Sequence, residues 1–345
     1  MSSKVFEPVN IGRERIGNRL LMAPLTSNYA DEGNFVTPEI IDFYERRARG
    51  GIGAIIVEAT AVNERKTHSP RCLGIYDDKF IDGLKKLSES IKRWTKAFIQ
   101  LNDAIVALGR KPEDLSLEEI YEIRDDFIKG AVRAHKAGFD GIELHMAHRY
   151  TLADFLSKRA NRRKDDFGGG IRGRLKLPLM IIKGIREELG DFPLIVRING
   201  EDFTGGGNSI IDTKKVAKTL EQWVDAIHVS AGGRIEEGGD RSYSCFRSVP
   251  VMGMPDALNA PLAEEIKRVV RVPVITVGKI GKPKIIEKII GEGKADLVAL
   301  GRPLLRDPDF PSKMMKSEKI KLCVYCNNCM RAFIKGDVLR CRRAK

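Results

Sequence analysis

The 345-residue chain predicts a (β/α)8 barrel, a TIM barrel of the α/β class, followed by a C-terminal cysteine-rich segment. Three observations carry that expectation. Eight short apolar runs recur along the chain, each with an amphipathic helical pattern behind it. No Gly/Ser-rich linker or change of composition divides them. Polar residues stand directly after the runs, in register. Eight β–α units in series favour closure over the alternative, a doubly wound open sheet.

In chain order the runs are Leu20–Pro24, Ala54–Ala59, Ala97–Leu101, Gly141–Leu144, Leu194–Ile198, Ala226–Ser230, Val272–Val277 and Leu297–Leu300. Most are continuously apolar, as parallel strands covered on both faces require. Between them Phe80, Leu84, Leu87, Ile91 and Trp94 repeat at helical spacing. So do Ile120, Ile123, Phe127, Ala131 and Ala134, and likewise Leu175, Leu179, Ile182, Ile185 and Leu189. Shorter helices are expected near Thr213–Trp223, Leu262–Val270 and Lys284–Ile290. The barrel is placed at residues 1–317 and the cysteine segment at 318–345.

Composition narrows the function classes. The formal charge is +13, from 60 Lys and Arg against 47 Asp and Glu, but the cations are spread along every helix. Without an aromatic-studded basic block they read as solvated faces rather than a nucleic-acid surface. No apolar run has the length of a membrane span, and Met1 to Asn10 lack a signal-peptide core. The expectation is a soluble, cytoplasmic protein. High charge with only two glutamines, Gln100 and Gln222, hints at a thermophile.

The residues after the runs are Thr26, Glu58 to Thr60, Gln100 to Asn102, His145 to Tyr150, Arg197 to Asn199, Ser230 to Gly233, Gly278-Lys279 and Gly301-Arg302. These are C-terminal strand ends, the face on which barrel enzymes build their sites. His148 and Tyr150, two apart, would share a strand face, while His145 joins them only if the strand ends or bends. Two imidazoles can hydrogen-bond a developing oxyanion and a phenol can give a proton to carbon. A metal-binding H-x-x-H or two ordinary strand-end histidines would look the same. Gly278-Lys279 and Gly301-Arg302 stand where phosphate sites form, since glycine lets backbone N–H groups approach an anion. Ordinary turns bearing surface cations are the alternative. A nucleoside triphosphate site is not expected: G-x-x-x-x-G-K-[ST] is absent, and Gly168-Gly169-Gly170 follows no strand.

Four of six cysteines crowd the C-terminus: Cys323, Cys326, Cys329 and Cys341. The C-x2-C-x2-C spacing lets one loop wrap three corners of a cubane while the distant cysteine supplies the fourth. Zinc, which usually takes two separated pairs, and free thiols are the alternatives. Lys321, Arg331, Arg340, Arg342 and Arg343 would offset a four-thiolate charge or receive an acidic electron-transfer partner. A cation at Arg197 suits the negative charge of a reduced flavin, or a structural ion pair with Glu143 or Glu58. Gln100 suits a flavin pyrimidine edge.

Assembled, these residues resemble the Old Yellow Enzyme family of FMN-dependent ene-reductases, above all the iron–sulfur branch with 2,4-dienoyl-CoA reductase and trimethylamine dehydrogenase. The similarity runs from Arg19–Thr26 through Ile56–Ala59, Ile99–Leu101, Glu143–Tyr150, Phe155–Ser157, Asn161–Gly169 and Arg174. It continues to Val277–Ile280, Ala295–Pro303 and Asp307-Pro308. The resemblance implies that Pro24, Leu25, Thr26, Ala59, Gln100 and Arg197 hold FMN's ring and that Gly278, Lys279, Gly301 and Arg302 hold its phosphate. It implies His145 and His148 on the substrate carbonyl, Tyr150 as proton donor, and the four terminal cysteines on a [4Fe–4S] cluster. The implied activity is reduction of an activated C=C, in an enone or enoyl thioester, by flavin hydride with tyrosine protonation and NAD(P)H as donor. The alternative is an electron-transfer subunit of a larger oxidoreductase complex.

Five departures qualify the match. The family's long segment after the third strand is a short Asn102–Leu115 here, so the substrate cap is reduced and left open or completed by another chain, a homo-oligomer being one option. Arg149 replaces the glycine before the tyrosine, as a handle for an acidic substrate or as a surface arginine. No histidine lies between Ser230 and Leu258 to serve as the dienoyl-CoA reductases' additional donor. Thr26 stands where trimethylamine dehydrogenase has its flavin-tethering cysteine. The chain ends four residues past Cys341, so the branch's FAD and nicotinamide modules are expected, if at all, on a separate protein.

Overall fold

A computed structural model describes residues 3–233 and 243–343. Residues 234–242, within the histidine-free stretch between Ser230 and Leu258, lie outside the described residues, as do both extreme ends. The chain opens with an antiparallel hairpin, β1 (Val9–Ile11) and β2 (Glu14–Ile16). Eight parallel strands follow: β3 (Leu20–Met22), β4 (Ala54–Ala61), β5 (Lys96–Asn102), β6 (Gly141–Met146), β7 (Leu194–Asn199), β8 (Ala226–Ser230), β9 (Val274–Thr276) and β10 (Leu297–Leu300). They close in sequence order, with β10 pairing β3. Helices α1 (Pro38–Ala48), α2 (Ile81–Lys92), α3 (Leu117–Lys136), α4 (Thr151–Leu156), α5 (Ile171–Leu189), α6 (Ile210–Leu220), α7 (Tyr243–Ser248), α8 (Ala260–Lys267) and α9 (Pro283–Gly291) lie between or after the strands. The chain ends with α10 (Arg302–Arg306), α11 (Phe310–Met315) and α12 (Asn328–Ile334).

The eight expected strands all form, with differences of a residue or two at their ends. β3 stops at Met22 and β9 starts at Val274, because Pro24 and Pro273 have no N–H to give a ladder. The hairpin was not anticipated. Gly12, at φ +56°, turns it, and a Cβ there would lie 2.9 Å from Asp225 Cγ. Its Ile11 and Ile16 join Leu21, Ala54, Phe98, Ile195, Ala226 and Leu297 in the barrel interior. Helix starts follow local chemistry: Ser116 and Glu119 cap α3 reciprocally, and Thr37 Oγ1 accepts from Ile40 N–H ahead of Pro38 in α1. Trp94 falls beyond α2 and is exposed, with the Arg49 guanidinium over its ring, so it extends no core stripe.

Strand alternation positions the site. Ile142, Leu144 and Met146 of β6 face outward into the core shared with the helices. Glu143 and His145 therefore face inward. By the same period Gln100 continues the row of Phe98, Arg197 that of Ile195, and His228 that of Ala226. The interior is apolar at the hairpin end and polar toward the strands' C-terminal ends. Among the described residues no helix is long and apolar enough to cross a membrane.

Candidate functional site

The polar layer is a hydrogen-bonded set. Glu143 accepts from Gln100 Nε2 at 2.6 Å through one carboxylate oxygen, and His228 Nδ1 lies 2.6 Å from the other. All three are buried. Arg197, on β7 beside His228, is also buried, and its Nε has no hydrogen-bond partner. Burial pulls its basicity down while the Glu143 carboxylate and Tyr150 hold it up. Arg197 thus lies near Glu143 without the direct ion pair the sequence allowed.

β6 ends at Met146, so His148 and Tyr150 do not share a strand face. His148 and Arg149 both adopt left-handed backbone, φ +60° and +63°. This double turn folds the chain back over His145. His148 Nδ1 comes 3.4 Å from His145 Nε2, and the His145 and Tyr150 rings meet edge-on at 4.5 Å. Left-handed φ is where glycine fits at no steric cost, so Arg149 occupies a glycine's conformation. Its Nε donates to the buried Asp154 at 2.7 Å, so at least part of its charge is engaged within the protein.

Both histidines are held well below the ordinary imidazole range: His145 by burial and then His148 and Arg197, His148 by burial and then Arg197 and His228. Each is therefore neutral near pH 7 and carries one N–H. Ala147 N–H donates to His145 Nδ1 at 3.3 Å, which leaves the proton on Nε2, directed at His148 Nδ1. His148 Nε2–H then faces Ser230 Oγ at 2.7 Å. Two neutral donors beside a phenol are suited to a carbonyl oxygen and an adjacent carbon.

Of the residues expected to hold a cofactor ring, Pro24 and Ala59 are buried, Leu25 and Thr26 partly so. Ala59 sits at an irregularity in the β4–β5 pairing, which re-aims the strand end. Gly278, at φ +128°, tolerates no side chain, since a Cβ would stand 2.6 Å from Asn259 Nδ2. Asn259 is itself buried with neither amide atom partnered. Such an orphan beside a glycine cradle fits a phosphate-bearing group. Gly301 lies against Leu25, with 3.4 Å of room for a Cβ. The cations point elsewhere in this structure: Lys279 Nζ donates to Met254 O, and Arg302 Nη1 donates to Pro250 O at 2.7 Å and to Asn327 Oδ1. Arg302 also lies over the Tyr325 ring at 4.8 Å, facing the cysteine loop.

Cys323, Cys326, Cys329 and Cys341 line one cavity of about 70 Å³ with Arg302 and Arg306. Their sulfurs are not drawn into a closed ligand set: among the described residues no group of three or more His, Cys, Asp or Glu is placed to hold a metal ion. The donor set nevertheless fits a soft metal or an iron–sulfur cluster, four cysteines opening on one space. Tyr325 and Asn327, flanking Cys326, adopt φ +56° and +57° and curl the loop tightly. Leu339 N–H donates to Ser27 O at 2.8 Å, tying this segment to the loop after β3.

The sequence reading missed His68, His228, Asn259 and Asp103. His68 Nε2 is 2.7 Å from Thr26 Oγ1. Asp103 is fully buried and hydrogen-bonded by Thr151, next to Tyr150. Burial raises its carboxyl to about 6, against the lowering effect of Lys66. Histidine scarcity was the available signal: His68, His145, His148 and His228 are four of only five in the chain.

Residues 4–114 and 106–320 match the sequence profile of the NADH:flavin oxidoreductase / NADH oxidase family. The chain is 38% identical to an NADH oxidase of Thermoanaerobacter brockii, over 94% of this chain and 52% of that protein. It is 34% identical to an NADPH dehydrogenase of Bacillus subtilis, over 90% of this chain and 94% of that one. It thus spans about half the length of the longer relative. A solved 2-naphthoyl-CoA reductase in complex with 2-naphthoyl-CoA superposes with TM-score 0.90 at 23% identity, over 99% of this chain and 57% of that one, which shows the shared fold.

Proposed function

Because the chain belongs to the NADH:flavin oxidoreductase / NADH oxidase family, we propose that it is an FMN- and [4Fe–4S]-dependent oxidoreductase that reduces an activated C=C of an enone or enoyl thioester. The observation that carries this reading is the convergence of two neutral imidazoles, His145 and His148, with Tyr150, near the buried Arg197. FMN, when bound, supplies hydride transfer to an electrophilic carbon, and NAD(P)H is its source of electrons. Pro24, Leu25, Thr26, Ala59, Gln100 and Arg197 would hold its ring. Gly278, Lys279, Gly301 and Arg302 would hold its phosphate, with Arg302 and Lys279 released from their carbonyl partners.

The chain's own residues supply the rest. His145 turns its N–H from His148, and His148 its N–H from Ser230, to the substrate oxygen, stabilising the charge that develops there. Tyr150 gives its phenolic proton to the α-carbon. Arg197 would offer a fixed cation to the ring from a desolvated position, where it is worth more than in water. Cys323, Cys326, Cys329 and Cys341 would bind the cluster, which supplies one-electron transfer. Exposed cations at Lys321, Arg331, Arg340, Arg342 and Arg343 surround that segment and favour a second reading, an electron-transfer subunit docking an acidic protein.

The test is anaerobic reduction of the purified, reconstituted protein with NADH or NADPH, followed by a cyclic enone. The proposal predicts a bleached flavin band that the enone restores. A protein carrying no flavin, or a reduced flavin indifferent to enones and enoyl thioesters alike, would contradict it.

A further inference from the structure

His68 lies on the loop after β4, outside every motif the sequence offered, yet it is built into the mouth. The loop is fastened on both sides of it. Ala104 N–H donates to Lys66 O at 3.1 Å, and Ser69 Oγ donates to Asn28 Oδ1 at 2.6 Å. The imidazole then spans two strand ends: Nε2 is 2.7 Å from Thr26 Oγ1, beyond β3, and Nδ1 is 3.3 Å from Asn102 Nδ2, at the end of β5. Its ring meets Tyr150 edge-on at 5.8 Å.

The orientation of the Asn102 amide decides where the protons are, and here its nitrogen faces Nδ1. An amide N–H facing Nδ1 requires a lone pair there, so the ring proton sits on Nε2 and is donated to Thr26 Oγ1. With its oxygen already accepting, the Thr26 hydroxyl has its own hydrogen free to point elsewhere. Without His68 the same hydroxyl could rotate and spend that hydrogen on any neighbouring acceptor.

We propose that His68 is a positioning residue, acting through Thr26 to preset that hydroxyl as a hydrogen-bond donor toward the flavin ring. The inference rests on the FMN reading above. It concerns affinity and orientation of the cofactor rather than a chemical step, so it is testable without turnover.

The experiment is a double-mutant cycle on FMN dissociation constants, measured by titrating FMN into deflavinated protein. His68→Phe and Thr26→Val should each weaken binding by about tenfold, the worth of one net hydrogen bond. His68→Phe added to Thr26→Val should cost no more than about twofold further, since the two act as one unit. His68→Gln keeps an amide N–H near the Nε2 position and should bind within about threefold of wild type. Fully additive effects, or a His68→Gln protein as weak as His68→Phe, would overturn the proposal while leaving FMN binding intact. A wild-type apoprotein that takes up no FMN would instead remove the functional reading on which it stands. Thermal unfolding of each variant, with a midpoint near wild type, separates these outcomes from loss of fold.

Discussion

At the barrel mouth Glu58, Gln100, Glu143, Arg197 and His228 are buried between paired strands, whereas from Lys321 to Arg343 only Tyr325 and Leu339 are buried. The mouth is positioned by ladders with fixed register, so its side chains are placed before any ligand arrives. The terminal segment is held by bonds such as Lys321 N–H to Asp307, Asn28 Nδ2 to Asp337 O, Leu339 N–H to Ser27 O and Arg302 Nη1 to Asn327 Oδ1, and by Leu339, Met330 and Phe333 packed at the edge of the core. Its helix α12 buries no residue. One region is ordered by strand pairing alone; the other, on the proposed reading, would gain its order from the cluster its cysteines would hold.

The largest expected effect breaks one region and spares the other. Cys326→Ala, or chelation of reconstituted protein, should abolish bound iron and strip hydrogen-exchange protection from residues 320–341, while β5 to β8 and FMN binding are unchanged. Loss of protection across the barrel would show that the two regions are not separable. Next, Tyr150→Phe should slow reoxidation of reduced protein by substrate by about 10²–10⁴-fold in stopped flow, as removal of a general acid does. FMN affinity and reduction by NAD(P)H should hold. Near wild-type reoxidation would reassign the proton donor.

A smaller effect tests the buried cation. Arg197→Met should weaken FMN binding by roughly tenfold to a hundredfold, the worth of a charge-assisted hydrogen bond, and unchanged affinity would place Arg197 among purely structural residues. The smallest is a pH slope. Burial raises the Glu58 carboxyl to about 7, although Ser27 N–H and the Tyr44 hydroxyl hydrogen-bond it. Its unfolded value is about 4.3, so the native state keeps a proton the unfolded chain has released. Stability is then complete below about pH 4.3 and declines toward pH 7, by at most about 1.4 kcal/mol per pH unit. Asp103 adds in the same direction. Glu58→Gln should flatten part of that slope in urea titrations between pH 5 and 7, and an unaltered slope would place the coupling elsewhere.

The two regions also differed in how far the sequence revealed them. Apolar runs and the polar residues after them were enough to place Gln100, Arg197 and His145 at C-terminal strand ends, and the observed strands then set their inward direction. Counting failed where the strand stopped. His148 and Tyr150 come together through two left-handed residues, and nothing in the pattern marks Arg149 for φ +63°. His228 hid inside an apolar run, although a histidine there must find a partner, and Glu143 is that partner. His68 sits in a loop with no period at all. In the tail, spacing located the cysteines in one cavity but could not show Arg302 turned toward them, which depends on packing against Tyr325.

A flavin-holding mouth and a separate iron–sulfur segment are proposed to share this chain. Flavin and metal content measured on the same anaerobically reconstituted sample test it most directly. One FMN per chain and about four iron atoms per FMN are expected, with iron lost and flavin kept in Cys326→Ala. Zinc in place of iron, or a chain that holds iron but no flavin, would contradict it.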